Sequence, residues 1–389
     1  MTDTLHWIWF QLMFGFGSRR AHALMEYFES PGDIIDGIET KNRVITMLRE
    51  EEILSWEKKF AVARDIQRRT QSKGCEIITP EHPDYPPLLL NIFSKPAALY
   101  VKGDLSCLRE TIVIAMVGTR AYTDYGKEAG VRLAGGLAQR GAVVVSGLAK
   151  GIDSICHQAA LDAGGKSVGV LGCGIDVAYP SGSAKLKRAI SENGAVITEF
   201  PLGFEPHAGH FPLRNRIISG MSDGTVVVEA DVKSGSIITA THAAEQGREI
   251  FAVPGSIFSD REQGTHQLIK DGAKLTQTVE DILDEFSHRE YPAMELVNPR
   301  KQSPPKEYLE MQKLAKDPQP QPDAAKRRDI PEELSSGARE IHSLIKETPV
   351  GFEEIAAGTT LSVGDIQSAL TELEIYGLIK GHPGRRFSL

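Results

Sequence analysis

Cysteine spacing of the kind that binds metal or forms a redox pair is missing from this 389-residue chain. Its four cysteines, Cys75, Cys107, Cys156 and Cys173, lie far apart and form no C-x-x-C motif. This distribution argues against a zinc site or a thioredoxin-like pair and is typical of buried thiols in a reducing compartment. We therefore expect a cytoplasmic protein with core thiols and without a bound metal.

Long apolar runs and a positive net charge are also missing. No stretch approaches the roughly 20 apolar residues needed to cross a bilayer, so no membrane partner is expected. The apolar start of the chain carries Asp3 and Gln11 and lacks a cationic leader, which argues against a signal peptide. Because the formal charge is −8, any polyanion must bind at a local basic patch.

The motifs of common cofactor-dependent enzymes are absent as well. The first strong strand pattern ends in Gly118 without continuing as G-x-G-x-x-G, and no P-loop, H-E-x-x-H or G-x-S-x-G motif occurs. Four acids near strand ends could serve a metal or a general base: Asp176, Glu199, Glu229 and Asp231. No nucleophile accompanies them in a recognisable arrangement, so we expect neither a cofactor nor catalysis.

Strand and helix patterns alternate over residues 73–287. The strand candidates are CEIIT, ALYV, IVIAMVG, AVVVSG, SVGVLG, AVITEF, TVVVEA, EIFAVPG and AKLT. Near-continuous valine and isoleucine runs favour strands covered on both faces, as in a parallel, doubly wound α/β sheet of the extended Rossmann-like type. In such folds the ligand binds at the carboxyl ends of the strands.

Different patterns flank this segment. Residues 1–72 read as a helical module, in which GFGSRRAHALMEYF is similar to a SAM-like or helix-hairpin-helix unit whose helix end could meet phosphate. A small helical packing module is the alternative. Residues 288–334 contain eight prolines and predict a flexible linker. Residues 335–389 predict a winged helix, with Ser362 capping the recognition-type helix and His382-Pro383-Gly384 turning the wing.

Gly-rich corners follow four of the predicted strands and point to a site for several anions. Each corner places small residues and donor groups before a helix, so that free N–H groups face the space above the sheet. The candidate DNA-binding residues of these corners are Gly118, Thr119, Arg120, Lys150, Gly151, Ser234, Gly235, Ser236 and Thr239. Among them, Arg120 could grip a phosphate with its planar guanidinium while Gly118 lets the backbone approach.

The segment HFPLRNR adds an aromatic side chain and two further arginines. Phe211 offers a ring for stacking, and Arg214 and Arg216 flank Asn215 where a helix should begin. An aromatic ring beside arginines is typical of single-stranded nucleic acid binding, where stacking on a base contributes about 1–3 kcal/mol.

Taken in order, these motifs resemble the DNA processing protein A family (DprA, also called Smf). The similarity rests on VGTRAYTDYG, SGLAKGIDSICHQAAL, GCGIDVAYP, TEFPLG, FPLRNRIISG, VVVEA, SGSIITATHAAEQGREIFAVPGS and GTHQLIKDGA, over roughly residues 75–286. The resemblance implies a homodimeric single-stranded DNA binder that protects incoming DNA and helps to load the RecA recombinase during natural transformation. It places the family's DNA-contacting arginine at Arg120. Ser183 and His266 depart from the family pattern.

Two other functions remain open from the sequence. One is a nucleotide-processing enzyme like the lysine decarboxylase-like phosphoribohydrolases, although no acid lies between Asp231 and Glu245 where such enzymes carry one. The other is a regulator whose winged helix reads duplex DNA. The wing carries Lys380, Arg385 and Arg386, but the recognition-type helix carries three acids, Asp365, Glu372 and Glu374, which would repel phosphate.

Overall fold

The computed structural model describes residues 4–40, 46–109, 111–287 and, with short gaps, 335–388. The chain divides into two compact units, Met1–Ala315 and Lys316–Leu389. The predicted linker over 288–334 lies outside the described residues, as do Ser362, Pro383, Gly384, Arg385 and Glu374. Across the described ranges, no helix is long and apolar enough to span a membrane.

A nine-stranded sheet organises the first unit, and each predicted strand segment overlaps one of its strands. The order is β1-β2-β6-β5-β4-β3-β7-β8-β9. The bounds are β1 (Glu76–Ile78), β2 (Leu99–Gly103), β3 (Val113–Val117), β4 (Val143–Ser146), β5 (Ser167–Leu171), β6 (Gly194–Thr198), β7 (Gly224–Val227), β8 (Glu249–Ala252) and β9 (Lys274–Leu275). The seven strands that run from β6 to β9 in this order all pair in parallel with their neighbours, which confirms the predicted doubly wound sheet.

The first two strands differ from the fully parallel sheet that we predicted. β1 pairs antiparallel with β2, and β2 pairs antiparallel with β6. Between β1 and β2 the chain forms only a 3-10 turn, Pro87–Asn91. Parallel neighbours need a long crossover connection, usually a helix, and this segment does not supply one.

Helices cover both faces of the sheet. Their bounds are α5 (Asp124–Gln139), α6 (Ile152–Asp162), α7 (Ala184–Glu192), α8 (His210–Gly220), α9 (Gly235–Glu245), α10 (Gln263–Lys270) and α11 (Val279–Leu283). Along β3, Ile114 and Met116 pack into the core beneath α5 and α6, whereas Val113, Ala115 and Val117 pack into the opposite core beneath α8 and α9. The uninterrupted apolar run of β3 is thus explained by burial on both faces.

The N-terminal segment is helical, as predicted, and shares its core with the sheet. It forms α1 (Thr4–Phe14), α2 (Arg19–Met25), α3 (Pro31–Glu39) and α4 (Glu50–Ser72). Trp9 and Ile8 of α1 lie in one hydrophobic cluster with Tyr100 of β2 and Val196 of β6. All four cysteines are buried and free, which confirms their prediction as core thiols.

The second unit has the winged-helix arrangement within its described residues. Helices Ser336–Leu344 and Phe352–Ala357 accompany a three-stranded antiparallel sheet in which Arg386–Ser388 is central. Glu372, one of the acids expected to repel phosphate, accepts hydrogen bonds from the N–H and hydroxyl of Ser335 at 2.9 and 2.6 Å. Its carboxylate therefore holds the start of the first helix.

Candidate nucleic-acid interface

A groove lies where the chain direction in the sheet reverses. From β3 the chain winds outward to β4, β5 and β6, and β7 then returns to the other side of β3. The loops after β3 and β7 therefore part at the carboxyl ends of these strands, which is where open α/β sheets bind ligands. The groove measures about 280 Å³ and is lined by Val117, Gly118, Arg120, Ala149, Asp153, Phe211, Pro212, Arg214, Asn215, Ile218, Ser234, Gly235, Ser236, Ile238 and Thr239.

Arg120 and Phe211 face each other across the mouth of the groove. Arg120 is exposed, and its guanidinium carbon lies 5.9 Å from the centre of the Phe211 ring. Phe211 also packs on Tyr179 with ring centroids 5.4 Å apart, and a Cβ at Gly172 would lie 2.9 Å from its ring. The ring is thereby fixed over the end of β5 beside an exposed cation, an arrangement that suits a base stacked next to its phosphate.

The loop that carries Arg120 is held from below. Thr119 donates its N–H to the carbonyl of Glu229 at 2.8 Å, and Ile152 donates to the carbonyl of Thr119 at 3.2 Å. Gly151 has φ +94°, and a Cβ there would lie 2.6 Å from the Cα of Arg120. Glycine at this position is therefore required by the contact between the two loops, and this contact sets the backbone position of Arg120.

Gly118 also has a packing role. A Cβ on it would lie 2.8 Å from the Cβ of Ile152, at the start of α6. Although Gly118 lines the groove, its missing side chain makes room for the helix behind it, so close packing is enough to explain the glycine.

A buried cation forms the floor of the groove. Arg214 is only 4% exposed and donates from Nη1 to the carbonyl of Gly147 at 2.7 Å and to that of Val170. Burial lowers its pKa to about 10, partly offset by the charge of Asp153, so the guanidinium remains charged at neutral pH. Asp153 accepts the N–H groups of Gly147 and Ala149 at 3.1 and 3.4 Å, and burial raises its pKa.

The far wall is the start of α9. Ser234 caps this helix, and its hydroxyl lies 2.7 Å from that of Ser236. Asn215 links the two walls, because its amide donates to the carbonyl of Gly235 at 3.2 Å and its oxygen accepts from Nε of Arg214. The positive end of the α9 dipole thus faces the groove, next to polar side chains that can donate to phosphate.

The structure brings together nine of the thirteen predicted DNA-binding residues in the lining of the groove: Gly118, Arg120, Phe211, Arg214, Asn215, Ser234, Gly235, Ser236 and Thr239. Four lie outside the lining: Thr119, Lys150, Gly151 and Arg216. Lys150 is exposed beside Ala149 at the rim, whereas Thr119 and Gly151 belong to the loop contact beneath Arg120.

Arg216 lies in the protein interior. It is 4% exposed and donates from Nη2 to both carboxylate oxygens of Glu199 at 2.8 Å. Successive helical residues are rotated by roughly 100° about the axis, so Arg214 and Arg216, two positions apart, point to nearly opposite sides of α8. Arg214 can therefore line the groove while Arg216 faces the protein interior. Arg216 does not line the groove in this structure, and its role as a DNA contact stays a prediction.

Sequence reasoning also missed part of the groove. Asp153 lies inside α6, after the cap residue Gly151, and ties down the preceding loop, a contact that we did not predict. Tyr179 was not singled out, although it supports the Phe211 ring. An aspartate beside Gly-Ile and a tyrosine before proline carry no local signal that distinguishes these contacts from ordinary turns.

Comparison with known families assigns this fold and groove to a class. A family model described as DNA recombination-mediator protein A matches residues 76–287, and a second, described as DprA winged helix domain, matches residues 315–385. The first match covers more than half of the chain and contains every residue of the groove. The chain belongs to the DprA/Smf family of DNA recombination-mediator proteins, as the sequence resemblance indicated.

Individual relatives agree with this assignment. Protein Smf of Escherichia coli is 41% identical over 258 residues, covering 64% of this chain and 66% of the relative. Protein Smf of Synechocystis is 34% identical over 331 residues, covering 82% of this chain and 81% of the relative.

Two solved structures show the same fold. DNA processing protein A from Streptococcus pneumoniae superposes with a TM-score of 0.62 at 32% identity, covering 74% of this chain and all of that one. DNA processing protein A from Helicobacter pylori, described with a single-stranded DNA binding mode, has a TM-score of 0.50 at 31% identity and covers 54% and 95% of the two chains.

Proposed function

We propose that the groove at the carboxyl ends of β3 and β7 binds single-stranded DNA. The observation that carries this proposal is the position of the exposed Arg120 guanidinium over the Phe211 ring, in the same groove as the buried charge of Arg214. A strand could place a phosphate between the two guanidiniums and the start of α9 while a base stacks on Phe211. The Helicobacter pylori relative, which is described as binding single-stranded DNA, supports the proposal.

The cellular role that we propose follows the family. The chain would protect incoming single strands and help to load the RecA recombinase during natural transformation or recombination, acting as a homodimer without bond-breaking chemistry at the groove. Membership of the recombination-mediator family supports this role. A groove whose charged lining residues are Arg120, Arg214 and the internally bonded Asp153 suits the holding of a polyanion.

A titration with variants tests the proposal. Arg120→Ala should weaken binding of fluorescein-labelled oligothymidylate and reduce the slope of log affinity against log salt by about 0.7, the value for one lost phosphate contact on a single strand. Arg188→Ala is the matched control, because Arg188 is an exposed arginine on α7 whose partner is the surface acid Glu192.

Two results would contradict the proposal. One is an unchanged affinity and salt slope for Arg120→Ala. The other is release of free base from nucleoside monophosphates by the parent chain, abolished by Arg120→Ala, because this would favour the nucleotide-processing alternative. Duplex DNA of the same length, titrated in parallel, measures the preference for single strands.

A further inference from the structure

Helix α8 has a second functional face, directed away from the groove. Phe211, Arg214 and Asn215 line the groove, whereas Leu213 and Arg216 face the N-terminal helices. Because both sets of side chains belong to one rigid helix, a contact that moves one face also moves the other.

The inner face of α8 is held by a buried ion pair. Nη2 of Arg216 donates to both oxygens of Glu199, the residue that follows β6, and the side chains are 5% and 2% exposed. Among the residues that the structure describes, Nε and Nη1 of Arg216 have no hydrogen-bond partner, so Glu199 carries the pairing of this guanidinium there. The stability of a buried ion pair with so few other hydrogen bonds depends strongly on the distance and orientation of its two side chains.

The turn between α1 and α2 closes over this pair. Burial raises the pKa of the Glu199 carboxyl, and the charge of Arg216 and the adjacent backbone of Gly17 partly offset this effect. Gly17 has φ +61°, and a Cβ on it would overlap Cδ1 of Leu213 and lie 3.1 Å from Nε of Arg216. No larger residue fits here without displacing α8 or the turn.

An aromatic contact extends this attachment to the first turn of α8. The ring of Phe16 packs on Phe200 at 4.8 Å and on Phe204 at 5.3 Å between centroids. Phe204 in turn packs at 5.0 Å on His210, the first residue of α8 and the neighbour of Phe211. The N-terminal turn therefore meets the middle of α8 directly, at Leu213 and Arg216, and reaches its first residue through Phe204.

We propose that Gly17, Glu199 and Arg216 form a clasp through which the N-terminal helical module sets the position of α8 and so the affinity of the groove for single-stranded DNA. These residues are positioning residues, because none of them lines the groove. The inference rests on the proposed function of the groove. It also gives the GFGSRR turn a role other than phosphate binding, since Gly17 lies against Leu213 and the buried Arg216.

Substitution of two glycines in the same turn tests the clasp. Gly15 and Gly17 both have positive φ, 84° and 61°, but a Cβ at Gly15 would have no atom within 4 Å. Gly17→Ala and Gly15→Ala therefore impose similar backbone strain, and only Gly17→Ala pushes on α8. We expect Gly17→Ala to weaken binding of oligothymidylate roughly fivefold, and Gly15→Ala less than about twofold.

Three readouts separate positioning from simple destabilisation. The number of strands bound at saturation should stay unchanged in Gly17→Ala, because the chain remains folded. Its salt slope should equal that of the parent, since no phosphate contact is removed. In a chain already carrying Phe211→Ala, Gly17→Ala should have little further effect, because the contact through which it acts is gone.

Glu199→Gln provides a second variant in case Gly17→Ala fails to fold, and it should also weaken binding at unchanged salt slope. Equal affinities of folded Gly17→Ala and Gly15→Ala, or full additivity with Phe211→Ala, would overturn the clasp while Arg120→Ala and Phe211→Ala still lose affinity. If these two groove variants bind like the parent, the proposed function itself fails.

Discussion

The same short motif occurs twice in this chain and faces opposite environments. Gly17-Ser18-Arg19 and Gly118-Thr119-Arg120 are both G-[ST]-R turns that precede a helix. In the first, the glycine lies beside the buried Arg216–Glu199 pair and the turn packs against α8. In the second, the loop lies at the rim of the sheet and Arg120 is exposed over Phe211. The three residues of the motif therefore do not determine whether such a turn packs against a buried acid or leaves its arginine exposed at the surface.

The largest effect that we expect is a loss of stability when the ion pair beside the Gly17 turn is broken. Arg216→Met leaves Glu199 buried without a counter-charge, which should lower the free energy of unfolding by about 3–5 kcal/mol. Urea unfolding followed by tryptophan fluorescence measures this, because Trp7, Trp9 and Trp56 all lie in the N-terminal helices. The double variant Arg216→Met/Glu199→Leu is the control and should regain most of the loss. A loss below about 1 kcal/mol in the single variant would show that the pair is not effectively buried.

We expect the stability of the chain to depend on pH through His157, a buried residue near Arg214. His157 in α6 is fully buried, and its pKa is lowered to about 3 by burial and by the charge of Arg214. Between about pH 6.5 and 3 the unfolded chain binds a proton that the folded chain does not, so stability falls by up to about 1.4 kcal/mol per pH unit as the pH is lowered.

The matched variant for this effect is His157→Gln, which cannot titrate. Its free energy of unfolding should depend less steeply on pH than that of the parent over the same range. Asp153 and Glu199, whose pKa values are raised, contribute equally to both chains and cancel in the difference. Parallel curves for the two chains would mean that His157 takes up its proton in the folded state as readily as in the unfolded state.

A smaller effect compares the hydroxyls of the two turns. Ser18 caps α2 by accepting the N–H of Ala21 at 3.3 Å, whereas Thr119 accepts that of Ala121 at 3.2 Å within an exposed turn. Ser18→Ala should cost about 1 kcal/mol of stability, since a helix cap is lost. Thr119→Ala should cost less, and thermal unfolding of both variants ranks them. The reverse order would show that the Gly118–Arg120 turn contributes more to the stability of the fold than the Gly17–Arg19 turn.

The smallest stability effect should come from the residue with the largest proposed effect on DNA binding. Arg120 is exposed, and substitution of such a side chain by alanine changes stability by less than about 0.5 kcal/mol. Thermal unfolding of Arg120→Ala without DNA should therefore match the parent. A clear destabilisation would mean that Arg120 supports its loop, and that a loss of DNA affinity could not be assigned to a missing phosphate contact.

Local pattern was sufficient for most elements of the first unit. The apolar runs predicted all nine strands, and glycine with a capping hydroxyl marked the corners that line the groove. The pattern could not predict the direction of β1 and β2, because pairing depends on what the connecting segment can reach. It also could not separate Arg214 from Arg216, since both are arginines in one short helix and only their neighbours in the fold distinguish them.

The sequence by itself determined the doubly wound sheet, the family and the residues that gather at the carboxyl ends of the strands, because apolar periodicity and glycine positions act over a few residues. The tertiary structure alone decided which charges are available. Arg120 remains exposed, Arg214 becomes the floor of the groove, and Arg216 is paired inside with Glu199. The physical reason is that the burial and pairing of a side chain depend on residues far away in the chain. The neighbouring sequence does not show which of those residues will lie next to it in the fold.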